Sequence, residues 1–447
     1  MGYVFGGAEP RRFPVATIVI IAVNAAIYFI TSSPSYFTTT SSSYIYRFGY
    51  IPALLISQEG VIRILTSMFI HADVLHIIFN MYFLYIFGKG VEDLVGSARY
   101  LVMYLVSGIG AALFHTASIP LSGLETVGIP AVGASGAISG ILGAYLMFFP
   151  GTSLIACFPI LLLPMCFTVR ASAYLAFWFA LQVIYGYARI GSVAFFAHAG
   201  GFITGIAMAW LLGRSRVAEL RVFREGLYFF RYIVFRAYRG GLGFFTKFVL
   251  VLLMIVTAAT MLYYSIETNP ALVSIYRGDI VVDGYADTVL LKVSADGSYS
   301  YSGFEVVYTN IVLTRLSKMG LLVNPDLSNK YINSTVNPLE EVVRIQIEVF
   351  GRYVSEDVAV VLRIEASYDE EGVLRVARGR MYTQVVEVTS ERGSVVIRKR
   401  PAIFDFSISS AGPYTGEAVV VATLPSVAVS LLSAYVVSRK DSELSVS

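Results

Sequence analysis

The chain has 447 residues, 56% of them apolar and only 14% charged. With a mean hydropathy of +0.69, this excludes an ordinary soluble enzyme and places the chain with polytopic membrane proteins. A formal net charge of +3 gives no case for a nucleic-acid partner, and none is expected.

The distribution of charge is more informative than its sum. Nine of the thirty acidic residues precede Asn269 and twenty-one follow it, which predicts a membrane body followed by a water-exposed one. The two cysteines, Cys157 and Cys166, fall in one apolar stretch. The polar region therefore has no disulfide framework, and no CxxC or Cys/His spacing suggests a metal.

A membrane-crossing helix needs about 20 apolar residues. In chain order such segments fall near 14–32, 74–91, 99–116, 133–149, 171–188, 194–213, 246–265 and 418–437. The first follows Glu9-Pro10-Arg11-Arg12 without a small-residue cleavage site and reads as a retained span, not a signal peptide. Residues 152–167 are also apolar, but Pro159 and Pro164 argue against a clean helix. A re-entrant or interfacial piece is expected there.

Basic residues set the orientation. They flank the spans at Arg11 and Arg12, at Lys89 and Arg99, throughout 214–247, and at Arg439 and Lys440. With eight spans all four places lie on one side, so both termini are expected in the cytoplasm of a multi-pass cell-membrane protein. The 214–247 connection interleaves its arginines with Leu227, Tyr228, Phe229, Phe230 and Phe235. That pattern suits either a helix lying on the lipid surface or a basic cytoplasmic loop.

The expected organisation is a core at 1–213 and a basic amphipathic linker at 214–247. A seventh span at 248–266, an extracytoplasmic β-rich domain at 267–416, and an eighth span with a short tail at 417–447 follow. The β assignment rests on alternation in Arg344–Val349 and Leu362–Ala366, and on the turn Asp369-Glu370-Glu371-Gly372. Further β-rich runs lie at Thr383–Thr389, Ser394–Arg398 and Ile403–Ser409. Asn333-Ser334-Thr335 is a glycosylation acceptor triplet on this outer part.

Two spans carry chemistry. Ser135 opens the fourth, in Gly133-Ala134-Ser135-Gly136, and His198 opens the sixth, in Ala197-His198-Ala199-Gly200-Gly201. Both spans start from the outside, which puts the two residues at similar depth. Gly136 and Gly140 on one, and Gly201 and Gly205 on the other, form smooth faces for close packing. A hydroxyl and an imidazole brought together this way form a nucleophile and its general base. His76 and Asn80, one turn apart in the second span, can donate to an oxyanion alongside the Ser135 backbone N–H. No Asp or Glu has an evident place, which points to a dyad. Each residue alone also fits a packing role; it is the shared depth and side that argue for chemistry. Of the four histidines, His71, His76 and His198 lie at outer ends of spans; His115 reads as a loop or interfacial residue.

With Arg63, Thr66, Phe69-Ile70-His71, His76-x-x-x-Asn80-Met81 and Gly88-x-x-x-Glu92 added, the chain resembles the rhomboid family of intramembrane serine proteases over about 13–213. The resemblance implies a six-helix all-α membrane core, here with two extra spans bracketing the β-rich domain. It implies Ser135 as nucleophile, His198 as general base, and His76 and Asn80 at the oxyanion. Arg63, Glu92, Gly133, Gly136 and Gly201 would give structural support, with Arg63 in a loop over about 33–70 lying partly in the outer leaflet. No metal or cofactor is implied; the partners are single-span membrane substrates and the lipid bilayer.

Two positions depart from the family pattern: Ile62 stands where Trp is frequent, and Ser139 where many members place a Tyr against the histidine ring. Phe195 or Phe196 is then a candidate for that contact. Two other function classes compete. A non-proteolytic client-binding relative would lack the serine or the histidine, and both are present. A transporter would need intramembrane charges, and the spans are nearly free of them.

Overall fold

The structure is a computed structural model describing residues 3–6, 8, 10–122, 124–160, 163–190, 193–219, 241–267, 273–294, 296–302, 306–349, 352–391, 394–414 and 417–446. The expectation for 214–247 falls largely outside them. The chain forms two compact units, one of Met1–Ala271 with Thr415–Ser447 and one of Leu272–Tyr414.

The first unit is helical. Its elements are α1 (Val15–Ser32), α2 (Ser42–Phe48), α3 (Gln58–Ser67), α4 (Val74–Val95), α5 (Ser97–Ala117), α6 (Ile119–Ser122), α7 (Ser135–Phe148), α8 (Ala171–Ala188), α9 (Phe195–Met208) and α10 (Phe244–Glu267). Among the described residues six helices are long and apolar enough to cross a membrane: 15–35, 74–95, 97–117, 195–219, 244–266 and 418–444.

The six-plus-two division of spans is not reproduced by length and composition. Expected spans 133–149 and 171–188 correspond to α7 and α8, which fall outside the set of six. At 1.5 Å per residue the 14 residues of α7 reach well short of the roughly 30 Å hydrocarbon layer. Tyr174, Trp178, Gln182, Tyr185 and Tyr187 dilute the apolar character of α8.

The short α7 is the centre of this unit. Every residue from Ala137 to Phe148 is buried, and the helix packs on α4, α5, α8 and α9. Its contact with α9 is made by backbone. A Cβ added at Gly201 would sit 2.0 Å from the Gly136 carbonyl oxygen, and one at Gly205 would sit 1.9 Å from that of Gly140. In lipid, where apolar burial does not drive helix association, such close approach supplies the attraction.

Buried polar groups tie the ends. Glu92, 3% exposed, accepts from Ala16 N at 2.7 Å, Thr17 N at 2.8 Å, Thr17 Oγ1 at 2.7 Å and Ser97 Oγ at 2.6 Å. It thereby caps the first turn of α1, whose own N-cap is Pro14 without a side-chain bond. Arg63 donates from Nη1 to Tyr46 O at 2.6 Å and Gly49 O at 3.0 Å, and from Nε to Glu59 at 2.7 Å. One guanidinium thus ties residues 46–49 to α3 within the 33–70 segment.

The apolar segment expected to be re-entrant or interfacial is a β-hairpin. Strands β2 (Ser153–Ile160) and β3 (Leu163–Arg170) pair antiparallel, and β1 (Tyr3–Gly6) adds to β2. Cys157 lies opposite Cys166 in the register, and Cys166 is disulfide-bonded.

The later helix α12 (Glu417–Tyr435) packs on α5, α9 and α10, and Ser433 Oγ donates to Ile203 O of α9 at 2.7 Å. At the C-terminal end, Asp441 is 3% exposed. It accepts from Leu242 N at 2.8 Å and from Lys247 Nζ at 2.7 Å. Val446 N donates to Phe148 O at 2.8 Å.

The second unit is a β-sheet of eight strands. Seven run in the order β6 (Tyr299–Ser302), β5 (Tyr285–Ser294), β4 (Val273–Val282), β11 (Ser394–Tyr414), β10 (Leu374–Glu391), β9 (Arg352–Tyr368) and β7 (Tyr331–Asn333), while β8 (Leu339–Val349) also pairs with β9. The runs read as β-rich in the sequence lie in these strands. Alternate residues of β9, Val358 to Tyr368, are buried, the period-2 pattern of a sheet with one covered face. Val312, Leu313 and Leu316 of α11 (Val307–Lys318), a helix the alternation did not reveal, share a core cluster with Val358, Val360 and Leu362.

Gly205→Ala is expected to force α7 and α9 apart, at a cost on the order of 3 kcal/mol or more as for severe overpacking. Thermal unfolding in detergent checks this, and an unchanged midpoint would contradict it.

Candidate active site

Ser135 is the first residue of α7, and the chain before it is held from three directions. Tyr50 and Ala131 exchange backbone hydrogen bonds at 2.9 and 2.7 Å, Gly133 N donates to Ser67 O at 2.9 Å, and Ala134 N donates to His71 Nε2 at 3.3 Å. Tyr50 also pairs its hydroxyl with Thr116 Oγ1 at 2.6 Å, which ties this loop to α5. Gly133 has φ +119°, and a Cβ there would lie 2.7 Å from His76 Nε2. Only glycine suits both the torsion and the imidazole beside it.

His198, in the first turn of α9, places Nε2 2.8 Å from Ser135 Oγ. The glycine contact between α7 and α9 sets this spacing. Two residues of α8 also meet the imidazole. Its Nδ1 lies 2.9 Å from Gln182 Oε1, and the Trp178 ring stacks on it with centroids 6.3 Å apart and planes 29° apart. The ring support sought at Phe195 or Phe196 is given by Trp178. Ser139 faces elsewhere, donating to Ser135 O at 2.6 Å within its own helix.

His76 begins α4 with its N–H capped by Asp73 Oδ1 at 2.9 Å. Its Nδ1 accepts from Ala72 N at 3.4 Å. The proton of a neutral ring then sits on Nε2, the atom facing Gly133. Asn80 donates one amide hydrogen to His76 O at 2.9 Å. His71 is fully buried and meets His76 edge-on at 5.1 Å. His115 lies in the last turn of α5, half-buried, not in a loop.

Ser135, His198 and His76 therefore converge at one end of the helical unit, while Glu92 and Arg63 bind backbone elsewhere. Gln182 and Trp178 were missed from the sequence. The available signal was Gln182 itself, the one side-chain amide in a segment whose only other polar aliphatic residue is Ser172, since a buried amide needs a partner.

The fold defines the class: a polytopic helical membrane protein that holds a serine hydroxyl against a histidine imidazole at one end of its bundle. Comparison with known proteins gives the family. Residues 58–215 match the rhomboid domain model. The chain is 32% identical over 150 residues to RHOMBOID-like protein 6, mitochondrial, of Arabidopsis thaliana, covering 34% of this chain and 43% of that protein. It is 33% identical over 133 residues to the rhomboid protease GluP of Bacillus subtilis (30% and 24% covered), and 34% over 143 residues to the rhomboid protease AarA of Providencia stuartii (30% and 50%). The chain spans half or less of the length of each of these relatives. Residues 58–215 are thus a rhomboid domain.

Gly133→Ala is expected to displace either His76 or the turn that presents Ser135. Labelling of Ser135 by a fluorophosphonate probe should fall roughly tenfold or more while helix content by circular dichroism stays unchanged.

Proposed function

We propose that the protein is an intramembrane serine endopeptidase that cleaves membrane-protein substrates in or near the outer part of their spans. The observation that carries this reading is the 2.8 Å contact between His198 Nε2 and Ser135 Oγ, inside a bundle where unpaired polar groups are costly. Ser135 attacks the peptide carbonyl as His198 takes its proton. The Ser135 N–H, His76 Nε2–H and the second amide hydrogen of Asn80 stabilise the oxyanion. His198 returns its proton to the leaving amine, and a water activated by the same imidazole then releases the acyl group. The substrate must unwind locally, because helical carbonyls are already hydrogen-bonded. Small or helix-breaking residues at the cut site follow from this.

The same reading keeps eight spans, with α7 and α8 crossing inside the bundle rather than against lipid. The termini and the 214–247 linker lie in the cytoplasm, and the site and the 267–416 domain lie outside. The basic residues at both termini and at two inner connections support this orientation. The 1–213 part is the protease core, and the partners are single-span substrates and the surrounding bilayer.

With purified protein and a single-span test substrate, Ser135→Ala and His198→Ala should each abolish cleavage, and a metal chelator should leave it unchanged. Wild-type rates in both variants would remove the dyad. For topology, a cysteine at Lys330 should react with a membrane-impermeant maleimide in intact cells, and one at Arg439 only after permeabilisation. The reverse pattern would invert the orientation.

A further inference from the structure

His198 makes a second hydrogen bond whose direction fixes where its proton resides, and the argument rests on the protease reading above. Gln182 is 8% exposed. Its Nε2 lies 3.4 Å from the Trp178 carbonyl one turn back, and its Oε1 lies 2.9 Å from His198 Nδ1. A backbone carbonyl can only accept, so the amide nitrogen must face Trp178 and the amide oxygen must face the imidazole. The amide oxygen likewise only accepts, so Nδ1 has to donate. A neutral imidazole protonated at Nδ1 has a bare Nε2, and Nε2 is the atom 2.8 Å from the Ser135 hydroxyl.

We infer that Gln182 is a positioning residue that locks His198 in the one neutral tautomer able to take the Ser135 proton, making the dyad a triad with an uncharged third member. In soluble serine hydrolases a buried carboxylate holds the imidazole this way. Within an apolar bundle an ionised carboxylate is expensive, whereas an amide supplies the same acceptor without a charge. The Trp178 ring stacked at 6.3 Å fixes the imidazole plane, so the two α8 residues divide the work between orientation and tautomer. As the Oγ–carbon bond forms, the hydroxyl proton moves to Nε2. The Nδ1 proton stays in place, and its bond to Gln182 strengthens as the ring becomes cationic.

The test uses the full-length protein in detergent. Nitrogen-15 spectra of histidine-labelled protein at mildly alkaline pH, with His198 assigned by comparison with His198→Ala, should show His198 protonated at Nδ1. Gln182→Leu keeps the volume but removes the acceptor. It should lose that tautomer preference and lower kcat roughly ten- to hundredfold with KM little changed. Gln182→Glu retains an acceptor oxygen and should recover most of the rate.

A wild-type His198 protonated at Nε2, a Leu variant cleaving at the wild-type rate, or a Glu variant as slow as the Leu variant each overturns the assignment. Should the Leu variant not fold, the wild-type spectrum and the Glu variant decide. Ser135→Ala separates the two levels of the argument. If it is inactive while Gln182→Leu is fully active, only the tautomer lock fails; if it still cleaves, the protease reading fails first.

Discussion

The helical unit depends on two backbones running in contact. Along α7 and α9 a hydrogen atom stands where any other residue would put a carbon, and the Gly136 and Gly140 carbonyls face Gly201 and Gly205 directly. In a membrane, where lipid is as apolar as leucine, attraction between helices must come from such dense van der Waals contact and from weak Cα–H···O bonds. The same interaxial distance sets how far Ser135 Oγ lies from His198 Nε2. Stability of the bundle and spacing of these two atoms are therefore one quantity. A side chain that loosens the first also lengthens the second.

Much of this could be read from residue order. Serine and histidine at the mouths of two apolar runs, each followed by small residues four apart, specify both the pair and its packing. Alternation in 344–349 and 362–366 likewise reveals half-covered strands. What sequence reading misses has physical causes. Apolar content cannot tell a fully enclosed helix from a lipid-facing one, so nothing in the sequence marks α7, 14 residues long, as a helix surrounded by protein. The segment 153–170 carries no clear period, and only the proline pair argued against helix. Gln182 is invisible as a partner until α8 and α9 are folded together, because 16 residues and a turn separate it from His198. Helix α11 is short and only weakly amphipathic among strands, so nothing in its pattern sets it apart.

Ser139 shows how packing substitutes for position. A ring one turn along the serine helix would cover the imidazole from one side. Here that helix carries a small hydroxyl satisfied by its own backbone, and the covering ring comes from a different helix. Close packing demands that the volume over a buried ring be filled; it does not dictate which helix fills it. The same logic extends to α10 and α12. They join the bundle by direct contact with α8, α5 and α9, and Ser433 bonds the backbone of the histidine helix. They are structural members of the bundle, not appendages to it.

The β-sheet unit enters and leaves through adjoining strands, with Ile275 of β4 opposite Tyr414 of β11, and the helices on either side of it in sequence, α10 and α12, pack together. A segment whose two ends lie side by side can be gained or lost at a single point in a gene without rerouting the rest of the chain. Its entry adds little closure entropy to the helical hairpin it interrupts. Such an architecture makes the sheet a portable cassette, one that a short loop between the two helices could replace in an ancestor or in an engineered chain.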